Sequence, residues 1–167
     1  MKIESQERPT VTVVEQRLKR YLSVLLVTVM ILSSFSIISP GVSAASAYFS
    51  PPHKDAGVDI NDNKLYDFLE VYVSVQVDEA GWYGVQGDLL DPGKNQIDVY
   101  VANGYYDVGL NIITLRYSGI LINTHGVDGP YIVHLTLLDE NYTIIGIDEH
   151  YTEAYHYSDF EPVGAKF

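Results

Sequence analysis

Twelve residues, Asp59-Ile60-Asn61-Asp62-Asn63-Lys64-Leu65-Tyr66-Asp67-Phe68-Leu69-Glu70, place side-chain oxygens at positions 1, 3, 5, 9 and 12, with the Leu65 carbonyl at position 7. Alternate side chains of a tight loop turn inward, one main-chain oxygen fills the middle, and a last Glu closes the site with two oxygens. A hard cation is wrapped in this way. Calcium is the ion that suits such an all-oxygen set. Magnesium wants a smaller octahedral cage and keeps its water, whereas softer metals want the His or Cys that the loop lacks. The expected ligands are Asp59, Asn61, Asn63, Leu65, Asp67 and Glu70. At position 6, where a sharp turn favours Gly, stands Lys64, an expected strain of about 1 kcal/mol.

Other groups offer less. His150 and His156 share a strand face, but Glu153 lies at an odd offset from both, so the three do not form a metal set. His134, between Ile132 and Thr136, falls on outward parity. Ser74 and Ser118 have no recognisable base beside them, and neither a G-x-S-x-G nor an H-E-x-x-H pattern occurs. Adjacent acids such as Asp139/Glu140 and Asp148/Glu149 point to opposite faces of a strand and do not make a glycosidase pair. No catalytic residue is expected, and the chain reads as a non-enzyme. Of 14 tyrosines, Tyr72 and Tyr100 fall on outward parity, where a ring can stack on a sugar or seed a protein contact. Asn141-Tyr142-Thr143 is a glycosylation sequon in an expected turn.

The elements that must position these groups have a period of two. Val71, Val73, Val75 and Val77 alternate with polar residues, and the pattern returns at Tyr83/Val85/Gly87/Leu89, Ile97/Val99/Val101, Ile113/Leu115/Tyr117 and Tyr131/Val133/Leu135/Leu137. Gly, Asn, Asp and Pro cluster between these runs, as at Asp91-Pro92-Gly93-Lys94-Asn95 and Asp128-Gly129-Pro130. Shorter strands are expected near Ile120–Asn123 and Tyr142–Tyr151. All connections are too short for parallel crossovers. The expectation is an all-β fold: an antiparallel, immunoglobulin-like sandwich of about seven strands over residues 70–157. Glu70 lies on the face opposite Val71 and stays out of its core. Trp82 is expected to cap one end. Residues 48–58 read as an extended linker arm, and 158–167 as a loosely held C-terminal tail.

Residues 59–70 resemble the calcium loop of EF-hands and dockerin-type repeats. The longer run through Gly126-Val127-Asp128-Gly129-Pro130-Tyr131 and Tyr155-His156-Tyr157-Ser158-Asp159-Phe160-Glu161 is similar to β-sandwich modules of prokaryotic, notably archaeal, secreted and cell-surface proteins. The resemblance spans about 59–161 and implies structural calcium binding, with no activity attached. One departure is the exit: an EF-hand loop leads into a helix, whereas the valine alternation begins at once.

The chain has 167 residues, 22 acidic against 10 basic side chains, a net charge of −12 and no cysteine. Nucleic acid is excluded as a partner, because phosphate binding depends on Lys and Arg. Residues 1–47 differ from the rest: Lys2, Arg8, Arg17, Lys19 and Arg20 outnumber Glu4, Glu7 and Glu15, and the uncharged stretch 21–38 ends in Ser39-Pro40-Gly41 and a run of small residues. Positive flank, apolar middle and small residues are the parts of a secretory signal. Cleavage is expected before Tyr48, or else after Ala44; uncleaved, residues 1–47 would serve as a membrane anchor. Either outcome delivers the acidic remainder outside the cell, where calcium replaces absent disulfides as a staple. The expected role is structural, adhesive or in assembly, on a cell-surface protein, a glycan or further copies of the chain. The alternatives are a carbohydrate-binding module using exposed tyrosines and an extracellular filament subunit with strand exchange. Membrane contact is confined to the N-terminal segment.

Overall fold

The computed structural model describes residues 46–164. The signal or anchor expected over residues 1–47 therefore lies outside the described residues, except for Ser46 and Ala47. Among the described residues no helix is long and apolar enough to cross a membrane.

The described chain is an all-β sandwich of two antiparallel sheets. Eight strands occur in the order β1 (Ala47–Phe49), β2 (Lys54–Val58), β3 (Phe68–Val77), β4 (Gly81–Leu90), β5 (Gln96–Tyr106), β6 (Gly109–Ser118), β7 (Ile132–Leu138) and β8 (Ile144–Tyr151). In the first sheet β3 pairs along its whole length with β6, while its other side is shared by β2, opposite residues 68–72, and β1, opposite 75–77. The second sheet has the order β5-β4-β7-β8. Side-chain alternation explains why the sheets pack: Val71, Val73, Val75 and Val77 meet Tyr83, Val85, Leu89, Leu115, Tyr117, Val133, Leu135 and Leu137 in one core. Burial of each such side chain contributes ~1.5–3 kcal/mol.

Three expectations change. Residues 48–58 are extended, but β1 and β2 are edge strands of the chain's own first sheet rather than a free arm. The strand expected near Ile120–Asn123 is a seven-residue helix, α1 (Gly119–His125), stopped by Gly126 at φ 72°. Burial decides between the two: Gly119 and Ile122, three apart, are its buried residues, so one short turn covers the core end where a strand would present alternate residues. Gly119 is obligatory there, because a Cβ would collide with the main-chain carbonyl oxygens of Tyr66 and Asp67. The tail, finally, is held as far as residue 161, since Phe160 is fully buried against Tyr66, Tyr131 and Tyr155.

β5 also reverses the expected parity. Ala102, opposite Val85, and Tyr106 pack on the core, whereas Val99 and Val101 are exposed opposite Asp88 and Gln86; Tyr100, opposite Gly87, shares the parity of Ala102 yet stays 38% exposed. A bulge between Leu89 and Leu90 leaves Ile97 as the extra residue, so Ile97 packs on the core and the residues after it change sides.

Candidate metal centre

The loop 59–67 spans the gap between β2 and β3, two paired neighbours. Its closure is pinned by the Asp67 N–H donating to the Val58 carbonyl at 2.8 Å. Inside, alternate side chains turn onto the loop's own main chain. Asp59 accepts from the Asn61 N–H (3.2 Å) and the Lys64 N–H (2.7 Å), Asn61 Oδ1 from the Asn63 N–H (3.1 Å), and Asn63 Oδ1 from the Leu65 N–H (2.8 Å). The buried Asp67 carboxylate accepts from the Ile60 N–H (2.7 Å) and from Asn61 Nδ2 (3.4 Å). Short Asp and Asn side chains fold the backbone this way because they reach an amide two residues on. Asp62 (φ 60°) and Lys64 (φ 74°) supply the left-handed corners. Lys64 thus adopts the conformation that the pattern reserves for Gly.

Asp59, Asn61, Asn63 and Asp67 are brought together as expected, with Leu65 in the same loop. Glu70 is not. Its side chain lies on the outer face of β3, where Oε1 accepts from Arg116 Nε (2.8 Å) and Nη2, and Oε2 from the Tyr72 hydroxyl (2.8 Å). Burial would raise the Glu70 pKa, but the bonds from Tyr72 and Arg116 outweigh it and hold the carboxyl below its ordinary value. Both oxygens are engaged, so the expected twelfth-position ligand is replaced by an ion pair across β3 and β6. The acid that does face the loop is Glu161, which accepts from Nδ2 of Asn61 (3.2 Å) and of Asn63. Sequence spacing could not single it out, since it lies 100 residues beyond Asn61. Its one signal is the adjoining aromatic, Phe160.

Among the described residues no three or more His, Cys, Asp or Glu side chains stand close enough to hold a metal ion. The oxygens of the loop are of mixed kind, from carboxylates, side-chain amides and a main-chain carbonyl. That mixture fits calcium, which accepts all three, and gives no purchase to zinc or copper.

Several other polar groups that could do chemistry are engaged elsewhere. His150 Nε2 meets Asp55 Oδ1 at 2.7 Å, and Asp55 Oδ2 accepts from the Tyr155 hydroxyl (2.8 Å) and the Glu153 N–H (3.2 Å). His156 meets Asp128 at 3.3 Å. Ser74, His53 and Asp148 are neighbours without forming a nucleophile: His53 Nδ1 accepts from the Ser74 N–H (3.1 Å), Nε2 faces Asp148 (3.2 Å), and the Ser74 hydroxyl donates to the Pro52 carbonyl (3.1 Å). With both ring nitrogens occupied, His53 has no lone pair for the Ser74 hydroxyl proton. Burial lowers the His53 pKa, in keeping with a neutral ring.

At the far end of β4 lies a cleft of about 430 Å³, lined by Trp82, Tyr83, Gly84, Asn103, Asp139, Glu140 and Tyr142. Trp82, expected to cap the core, is instead 58% exposed and meets the Tyr105 ring edge-on at 6.2 Å. Its register explains the difference, because Trp82 pairs with Tyr105 on the outer face of the sheet. Tyr142 (78% exposed) projects from the β7–β8 turn at φ 61°. Asn141 is exposed in that turn, where its N–H and that of Thr143 donate to Asp139 Oδ1, each at 2.8 Å.

The sequence matches no family model and no curated protein. Among solved structures, the chain is similar to a calcium-binding mutant of Bacteroides uniformis beta-glucuronidase 2 (TM-score 0.48, 14% identity, covering 64% of this chain and 14% of that one). It is similar also to a DUF4785 family protein from Legionella pneumophila (TM-score 0.46, 16% identity, covering 68% and 29%). A third is a glycosyl hydrolase family 2 member from Bacteroides cellulosilyticus (TM-score 0.43, 13% identity, covering 62% and 15%). The chain thus spans less than a third of each of these proteins. The fold defines a two-sheet β-sandwich, and these likenesses go no further than the fold.

Proposed function

We propose that the chain is a calcium-stabilised, exported β-sandwich module that binds or assembles at a cell surface and performs no catalysis. The carrying observation is the loop between β2 and β3: four short oxygen-bearing side chains, of Asp59, Asn61, Asn63 and Asp67, turned inward by the loop's own main chain, with left-handed backbone at Asp62 and Lys64. The resemblance to EF-hand and dockerin-type loops supports the same reading. So does the strand order, β2-β3-β6 facing β5-β4-β7-β8, which is immunoglobulin-like. Export is supported by the basic, apolar and small-residue sequence of residues 1–47. Because the ion binds the folded form, it stabilises by RT ln(1 + [L]/Kd), about 2.7 kcal/mol at a hundredfold excess over Kd. Thermal unfolding in millimolar calcium should therefore occur several degrees above unfolding in excess chelator, and coincident melts would refute the reading.

A second reading is carbohydrate binding. The cleft beside Trp82 favours it, because two exposed aromatic rings, Trp82 and Tyr142, stand beside Asn103, Asp139 and Glu140, the mixture of stacking faces and acceptors that a sugar ring engages. This moves the aromatic platform from Tyr72 and Tyr100 to the β4 and β7–β8 end. Glycan-array binding that is lost in Trp82→Ala would support it, and an array without hits would remove it. Strand exchange into a filament has less support, since β1 and β2 already occupy the side of β3 that an incoming strand would need.

A further inference from the structure

Glu161 is fully buried, and while its Oε1 receives the amides of Asn61 and Asn63, its Oε2 has no hydrogen-bond partner. Among the described residues the ion pairs involve Asp148, Glu70, Asp91, Glu149, Asp55 and Asp128, and none reaches Glu161. A carboxylate taken out of water is retained where something compensates its charge, and a metal ion is one such partner.

The main chain fixes Glu161 where it stands. Its N–H donates to the Tyr66 carbonyl (3.0 Å), while the Tyr66 N–H donates to the Asp159 carbonyl (2.8 Å). Asn123 Nδ2 holds the Phe160 carbonyl at 3.0 Å. The segment before Glu161 is therefore docked on Tyr66, the loop residue next to Asp67, and its carboxylate reaches the side-chain amides of Asn61 and Asn63.

We propose that Glu161, in place of Glu70, supplies the closing carboxylate of a calcium site whose other oxygens come from Asp59, Asn61, Asn63, the Leu65 carbonyl and Asp67. This rests on the calcium reading given above and changes what the ion does. A site closed by Glu70 would brace one loop, whereas a site closed by Glu161 joins segments 100 residues apart and clamps the last buried residue among those described to the loop that leads into β3. Among the described residues no three carboxylates stand close enough to hold an ion as they are, so calcium has to draw Asp59, Asp67 and Glu161 together, and the set it then meets is hard and all-oxygen, of calcium type.

The test compares the full chain with Glu161→Gln, Glu161→Asp and Glu70→Gln, each stripped with chelator and titrated with calcium chloride by calorimetry. Wild type and Glu70→Gln should bind with closely similar affinity. Glu161→Gln should bind at least roughly tenfold more weakly, as even indirect supports of a metal cost 10–100-fold when removed, with Glu161→Asp in between. In chelator Glu161→Gln should melt no lower than wild type, because the amide removes the uncompensated charge. Calcium should slow hydrogen exchange over residues 155–161 in wild type but not in Glu161→Gln. Loss of binding in Glu70→Gln with retention in Glu161→Gln would overturn the proposal and leave the calcium reading standing. Absence of binding in wild type would overturn both. Should Glu161→Gln fail to fold, wild-type affinity in a folded Glu161→Asp together with calcium-independent exchange at 155–161 would overturn it equally.

Discussion

At the scale of single residues, the loop shows how far local chemistry reaches. Asp59, Asn61, Asn63 and Asp67 are legible in the sequence because each acts on a main-chain group within seven residues of itself. Glu70 has the spacing of a ligand but other surroundings, since its carboxylate is taken by Tyr72 and by Arg116, which comes from a strand 46 residues away. A long-range ion pair of this kind leaves no trace in local spacing. Lys64 carries the clearest prediction. Its φ of 74° costs an L-residue about 1 kcal/mol that glycine does not incur. Lys64→Gly also removes a cation from an acidic loop. It should raise the urea midpoint in calcium and tighten binding several-fold, and an unchanged midpoint with unchanged affinity would show that the loop is unstrained at this residue.

At the scale of elements, strands buried on one face with regular partners were readable: β3, β4, β6 and β7 all bury the residues that alternation selects. β5 was not, since one bulge shifts every later residue to the other face, and a bulge has no composition signal of its own. α1 leaves no helical signature in the sequence, because seven residues are too few for a 3.6 period to register. What holds so short a helix is tertiary. His125 in its last turn meets Asp91 Oδ2 at 2.8 Å, and Asn95 binds the same carboxylate through its main chain (2.9 Å) and side chain, so the helix and the β4–β5 turn share one buried acid. The hydrogen bond to His125, then those to Asn95, bring the Asp91 pKa down from 3.8 to about 2. A carboxyl lowered in the folded state stabilises above its unfolded value and loses that contribution as pH falls through the folded one. Stability should therefore decline between about pH 4 and pH 2. The decline in urea midpoint over that interval should be shallower in Asp91→Asn, and equal slopes would remove Asp91 as a contributor.

At the scale of the whole molecule, two sheets without a disulfide are fastened at several points where distant segments meet. The polar cluster of Asp55, His150 and Tyr155 ties β2 to the end of β8, and the docked Phe160 covers the core beside the loop. The sandwich class followed from strand spacing, whereas these fastenings, like the packed C-terminal segment, depend on contacts between residues some 100 positions apart and are visible only in three dimensions. The first strand leads furthest. Ala47 is fully buried in the core, and the Ser46 carbonyl accepts from the N–H groups of Asp78 (2.8 Å) and Glu79 (3.2 Å). If residues 1–47 direct export, a peptidase cutting before Tyr48 would discard two residues that the sandwich uses, while a cut after Ala44 would leave them in place. Amino-terminal sequencing of exported protein should accordingly begin at Ala45, and a start at Tyr48 would show that the fold forfeits this edge. On the export reading, leader and folded body lay claim to the same few residues, and maturation and folding would be a single ordered hand-over, in which release at the membrane would have to spare the strand that afterwards seals the sheet.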